Sequence, residues 1–302
     1  MEFELDTKKK TAKDVLEYLF ADDSNCYGMY FYGEAIRTDI YFKKVSKCLW
    51  SILNIEMPLS EKKHVAPSPE NIETCKRIFN TVLLMMYLPL SLKYIPAIKS
   101  FKIDKEIDYD DSDPRSVLYT AIHNVEDFVE RIPEEYFISP ASIKYHGAFS
   151  GGLMYHSLGV LKSVLDTCDV YMYKYYESYL TSLNMKHDTC TEIRHSICSN
   201  LPAILLHDFC KVGKYKFIED KNKWEYNYDS VTSFQHGAES YRRIIHEGFH
   251  LSKEWELAVV YHMGVFDVSK QEMMDFSSIT EKVPEVLLLH HADMISTKIL
   301  HI

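Results

Sequence analysis

Residues 203–211 read Ala-Ile-Leu-Leu-His-Asp-Phe-Cys-Lys (AILLHDFCK). Four apolar residues, Ala203 to Leu206, run directly into His207 and Asp208. A charged carboxylate placed straight after a buried segment is costly unless it is paired or metal-bound. The same setting recurs at Asp293 in LHHADM, which follows the apolar run Val286 to Leu289. Three further histidines follow or interrupt apolar runs: His156 in GGLMYHSLGV, His236 in FQHGAES and His262 in VVYHMG. A lone histidine on an apolar helix face is more often a hydrogen-bonded core or surface residue than a ligand. Polar groups at the ends of several buried segments point instead to convergence on one internal site. Imidazole nitrogen with carboxylate oxygen is a ligand set for Mn, Fe, Zn, Co or Ni.

The apolar spacing around these residues is helical. Arg115 to Arg131, Leu153 to Leu165, Ile193 to Phe209, Gln235 to Glu247, Lys253 to Met263 and Glu285 to Leu300 each read as helices. With only 10 Gly and 10 Pro in 302 residues, a turn-rich all-β fold is disfavoured, and a mainly all-α fold is expected. The acidic stretch DKEIDYDDSDP, Asp104 to Pro114, reads as a solvated connector. It divides the chain into an N-terminal region, residues 1–110, and a second region, residues 114–302. In the first, Tyr41 to Ile52 and Ile72 to Leu88 carry helical spacing, Pro89 ends the latter, and Tyr27 to Tyr32 reads as a short strand.

A net charge of -10 disfavours broad electrostatic capture of nucleic acid, although bound divalent cations would reverse this locally. Cys26, Cys48, Cys75, Cys168, Cys190, Cys198 and Cys210 form no CxxC pair and read as reduced thiols, most of them buried. The N-terminus MEFELDTKKK lacks the apolar core of a signal peptide, and Val82 to Leu90 is far short of the ~20 residues of a membrane span. A cytoplasmic protein with no membrane partner is expected.

The ordered series H…HD…H…H…D resembles the HD superfamily of metal-dependent phosphohydrolases. The resemblance spans roughly Pro114 to Ile302. It rests on KYHGAFSGGLMYHS, LLHDFCKVGKY, QHGAES, YHMGVFD and LHHADM in that order. It is similar to the branch holding bacterial HD-type 3'–5' exoribonucleases and uncharacterised bacterial and phage HD hydrolases. It implies an HD-domain helical bundle with His156, His207, Asp208 and Asp293 as the defining metal ligands. His236 and His262 match the extra histidines of two-metal members, with Asp208 as the bridge. The implied cofactor is a pair of divalent transition-metal ions (Mn, Fe, Ni, Co or Zn), with Mg as a further candidate. The implied reaction is hydrolysis of a nucleotide or short single-stranded oligonucleotide phosphoester, a phosphodiester first, by a hydroxide that two metals activate.

Asp208 and Lys211 are the expected catalytic residues, Lys211 matching the lysine of the HDxxK variant and expected to touch phosphate. His146, Gly151 and Gly152 are expected to line the substrate site, since glycines at a helix entry permit close approach of an anion. The tyrosines of Val170 to Leu180 read either as base-stacking groups or as packing residues. Two alternatives stay open: a di-iron HD-fold oxygenase, and a non-catalytic metal-binding regulatory module.

Overall fold

The computed structural model describes residues 38–56, 66–87, 114–184, 189–230, 234–267 and 272–302. The strand expected at Tyr27 to Tyr32 and all of the acidic connector except Pro114 lie outside these residues. The fold is mostly helical, as the composition implies, with one small two-stranded sheet among the described residues.

At the centre is α5, Gly152–Ser182, 31 residues long and so roughly 45 Å from end to end. From Gly152 to Leu161 every residue is buried, because neighbours cover this half on all sides. Before it come α1 (Thr38–Glu56), α2 (Pro69–Tyr87), α3 (Pro114–Glu130) and the short α4 (Glu135–Ile138). After it come α6 (Thr189–Ser199), α7 (Leu201–Leu205), α8 (His236–His246), α9 (Lys253–Tyr261), α10 (Glu272–Lys282) and α11 (Pro284–Ile295). Helices α1, α6 and α11 pack along α5, and α8 and α11 pack on α9. Helices α1 and α2 bury Leu49, Ile52, Phe79 and Leu83 in the same core as the later helices. Phe79 meets Tyr136 and Phe137 of α4 edge-on, with ring centroids 5.7 and 5.5 Å apart. Ser46 of α1 donates to Asp166 of α5 at 2.5 Å.

Several local structures differ from the expected helices: α5 runs on to Ser182 rather than ending at Leu165, and α10 has no counterpart among them. Ile193 to Phe209 is not one helix but α6, a break at Asn200, α7, and a 3-10 turn over Phe209–Lys211. Pro202 has no N–H to continue a helix. The Asn200 side chain bridges the break, accepting from Ser252 N–H (2.8 Å) and donating to the Ser196 carbonyl (2.8 Å). Tyr215–Ile218 (β1) and Lys223–Tyr226 (β2) form an antiparallel hairpin in which Tyr215 faces Tyr226, turned by Asn222 in the left-handed region. Lastly, α11 ends in a wider π turn, Ser296–Leu300.

The tyrosine-rich half of α5 divides by face. Tyr173, Tyr175 and Tyr179 are exposed, whereas Tyr171 and Tyr176 bond to α11 through His291 Nδ1 (2.6 Å) and Glu285 Oε1 (3.1 Å). No helix among the described residues is long and apolar enough to cross a membrane.

Glu285 is wholly buried, Tyr176 donates to one of its oxygens, and the other has no partner. Burial pushes its carboxyl up to about 7. The sign follows from linkage: a carboxyl raised in the folded state stabilises fully below its unfolded pKa and loses that contribution as pH rises through about 7. Glu285→Gln should therefore gain on the wild type between pH 5 and 8, by at most about 3 kcal/mol. Denaturant midpoints at the two pH values measure this, and a constant difference would show that Glu285 does not titrate there.

Candidate metal centre

The chain places its six candidate ligands where helices begin or end, or on buried faces. His156 lies in the second turn of α5 and Asp293 in the last turn of α11. His207 and Asp208 follow α7, His236 opens α8, and His262 caps α9. His156, His207 and His262 are wholly buried, and Asp208 is 2% exposed.

The Asp208 carboxylate is the centre of the cluster. Its Oδ2 lies 3.4 Å from His156 Nε2 and 3.6 Å from His207 Nε2. Its Oδ1 lies 2.5 Å from His236 Nε2 and 3.6 Å from His262 Nε2. Each oxygen thus faces a different pair of imidazoles. Asp293 Oδ1 lies 3.1 Å from His156 Nε2. Three sets of donor atoms lie within 4.8 Å of one another: His156, His207, Asp293; His207, Asp208, His262; and Asp208, Cys210, His236.

Hydrogen bonding on the far side of the rings sets which nitrogen faces this centre. His156 Nδ1 meets the Ile302 carbonyl (3.0 Å), His207 Nδ1 that of Ile204 (2.9 Å) and His262 Nδ1 that of Val259 (2.6 Å). A carbonyl only accepts, so each Nδ1 carries the proton and a neutral ring turns an Nε2 lone pair inward. His156 Nε2 and His207 Nε2 then face each other at 3.2 Å, an arrangement that needs a proton or a cation between them. His262 Nε2 is buried with no hydrogen-bond partner. An orphaned buried acceptor costs about 1–3 kcal/mol, a cost that a bound cation removes. The donor set and this orphaned nitrogen fit a metal ion.

Protons and Lys211 balance the charge otherwise. Burial opposes charge on Asp208, but Lys211 and the histidines outweigh it and hold the carboxyl well below the usual range. Burial likewise opposes charge on His156, yet its bonds to Asp208 and Asp293 raise it to about 9. Burial takes His207 down to about 3. The ammonium of Lys211, 2.5 Å from Asp208 Oδ2, and the His156 proton together offset the two carboxylates.

Helix α8 explains why QHGAES reads as it does. His236 faces Asp208, and Ser240 Oγ accepts the Cys210 N–H at 3.2 Å. Gly237 allows close approach to α9, since a Cβ there would lie 2.1 Å from the Val260 carbonyl oxygen. Arg243 donates to the Val212 (2.8 Å) and Phe209 (3.4 Å) carbonyls, clamping the turn after Asp208. Buried Glu239 orients that guanidinium at 2.7 Å. His290 Nδ1 bonds to the His262 carbonyl (2.6 Å) and so supports the end of α9.

Of the expected substrate residues, His146 lies beside the cluster, its ring centroid 5.0 Å from that of His156. Burial holds His146 neutral, with its pKa down to about 3, and its Nε2 is buried with no partner. Gly151 and Gly152 are placed differently. Gly151 donates to the Ile138 carbonyl (3.0 Å) and Gly152 to that of Phe149 (3.0 Å), so neither amide is free for an anion. At Gly151 (φ 83°) a Cβ would lie 2.6 Å from Cys75 Sγ, and at Gly152 one would lie 2.1 Å from the Gly147 carbonyl oxygen. Close packing at the α5 entry accounts for both glycines.

Cys210 carries a role that sequence reading missed. Its Sγ lies 3.3 Å from His236 Nδ1, so a thiol orients this one ring where backbone carbonyls orient three others. The position two residues after Asp208 was its sole signal.

The chain matches no protein-family model, no curated protein and no solved structure. What stands on geometry is a buried His/Asp/Cys cluster able to hold a metal ion.

Arg243→Ala removes the clamp on the turn after Asp208 but leaves Arg242 on Glu239. The expected loss of stability is about 2 kcal/mol, below the ~3–5 of a fully stripped buried pair. Urea denaturation measures it, and an unchanged midpoint would show that the turn holds without the clamp.

Proposed function

We propose that this chain is a metal-dependent phosphohydrolase of the HD type, acting on a nucleotide or short single-stranded oligonucleotide phosphoester, with a phosphodiester favoured. The observation that carries this reading is the Asp208 carboxylate, which turns one oxygen to His156 and His207 and the other to His236 and His262. So placed, Asp208 could serve a cation on each side. His156, His207 and Asp293 would hold one ion, and His236 and His262 the other. Mn, Fe, Ni, Co and Zn suit the nitrogen-rich donor set, with Mg a poorer match. Such ions, when bound, polarise a water and the phosphoryl oxygens.

The chain's own residues supply the remaining tasks. Lys211 brings a half-buried positive charge to the edge of the cluster; burial opposes that charge, but Asp208 holds the ammonium protonated well above its ordinary range. An ammonium there is suited to a non-bridging phosphoryl oxygen or to the leaving oxygen as charge develops on it. Neutral His146 offers an unpaired Nε2 beside His156, suited to a hydroxyl or phosphate oxygen of the substrate. The glycine turn before α5 shapes the wall without donating to the phosphate.

Two variants separate holding metal from turning over. Lys211→Ala should keep bound metal, measured by elemental analysis, and lose ~10²-fold or more in kcat on the best phosphoester of a panel. Asp208→Ala should lose metal and activity together. Turnover of no phosphoester with Mn, Fe, Co, Ni, Zn or Mg would overturn the hydrolase reading, and wild-type protein that takes up no metal would overturn the centre itself.

A further inference from the structure

His156 differs from the other two carbonyl-bonded histidines in where its partner comes from. His207 and His262 sit just beyond helix C-termini, and each bonds to the carbonyl three residues earlier, Ile204 and Val259. Helix ends leave such carbonyls without intrahelical partners. His156 lies inside α5, where the preceding carbonyls are committed to the helix, so its Nδ1 needs an acceptor from elsewhere. That acceptor is the Ile302 carbonyl, 3.0 Å away and 146 positions later in the chain.

The segment after α11 is shaped to deliver it. The π turn Ser296–Leu300 widens the helix end, and His301 takes the left-handed region (φ 58°), reversing the chain. Ile302 N–H then bonds to the Ser296 carbonyl at 3.0 Å, and the Ile302 side chain is buried to 2% exposure. Ser296 Oγ adds a second contact, 3.2 Å from His156 Nδ1 and 3.3 Å from the His156 carbonyl. The hydroxyl thus accepts from the ring and donates to the backbone. One turn on from His156, Gly159 leaves the room this needs: a Cβ there would lie 2.5 Å from Ser296 Oγ but 3.5 Å from Ser296 Cβ.

We propose that Ser296 and Ile302, seated against Gly159, are positioning residues that hold His156 with Nε2 turned to Asp208 and Asp293, and so set the metal affinity of that side of the centre. The inference rests on the reading of His156 as a metal ligand, and on nothing about the substrate. It also ties two ligands to one element, since Asp293 lies one turn before the π segment that orients His156.

The test is a Co(II) titration against a competing chelator, read by the visible absorption of the bound ion. It uses wild type, Gly159→Ala, Ser296→Ala, the double variant, and a chain ending at His301. Loss of a supporting partner typically lowers metal affinity ~10–100-fold. Gly159→Ala and the chain without Ile302 should fall in that range with a weaker, altered cobalt spectrum, and Ser296→Ala should fall less. The double variant should recover to the Ser296→Ala level, because only the atom 2.5 Å from the new methyl is gone. A role in folding alone would shift thermal midpoints without that recovery in affinity and spectrum. Wild-type affinity in both Gly159→Ala and the shortened chain overturns the proposal, as does a double variant no better than Gly159→Ala. Wild-type protein that binds no cobalt overturns the ligand reading of His156 and the proposal with it.

Discussion

A carboxylate at 2% exposure with four imidazoles around it is the constraint on which the rest of this molecule depends. Asp208 stays charged inside the protein only because positive charge is held beside it. Lys211 supplies one such charge directly, and the proton on His156 supplies another while it is retained. Both are charges that a divalent cation can replace. The same buried donors could hold a metal ion.

Keeping that geometry takes support from four helices, α5, α8, α9 and α11. Helix α8 grips the turn after Asp208 through Ser240 and Arg243. Helix α9 ends at His262, supported in turn by His290 of α11. Buried α5 carries His156, and the segment beyond α11 closes on it. His156, His207 and His262 each have a main-chain oxygen on the Nδ1 side, so their inward-facing nitrogens are set before any ion arrives. Preorganisation of this kind lowers the cost of binding and narrows the accepted geometries. The thiol at Cys210 is the exception to the carbonyl pattern and makes the environment of His236 chemically distinct from the others.

The net charge of -10 and the chemistry of the site are compatible because they act over different distances. Long-range repulsion of polyphosphate is screened within about 10 Å at 0.1 M salt. At contact distance the ammonium of Lys211 dominates, and a bound cation would add to it. The exposed face of α5 (Tyr173, Tyr175, Tyr179) keeps aromatic surface in solvent, while its inward tyrosines are committed to α11.

Helical periodicity and the placement of polar groups after apolar runs are local properties, and the sequence by itself determined what depends on them. The mainly helical fold was legible there, as were most helix boundaries to within a few residues. The order of His156, His207, Asp208, His236, His262 and Asp293 along the chain marks them as one set, although a single imidazole on an apolar run is more often a core residue, and the fold brings the six together. Tertiary structure decided what depends on partners distant in sequence. The break at Asn200 is held by Ser252, the glycines at the α5 entry answer to Cys75 and Gly147, and Cys210 acquires its role only when α8 brings His236 to it. The orientation of His156 is the clearest case. Its acceptor lies 146 residues away, and periodicity, which reports only which face of one helix is buried, carries no information about which distant carbonyl will meet it there.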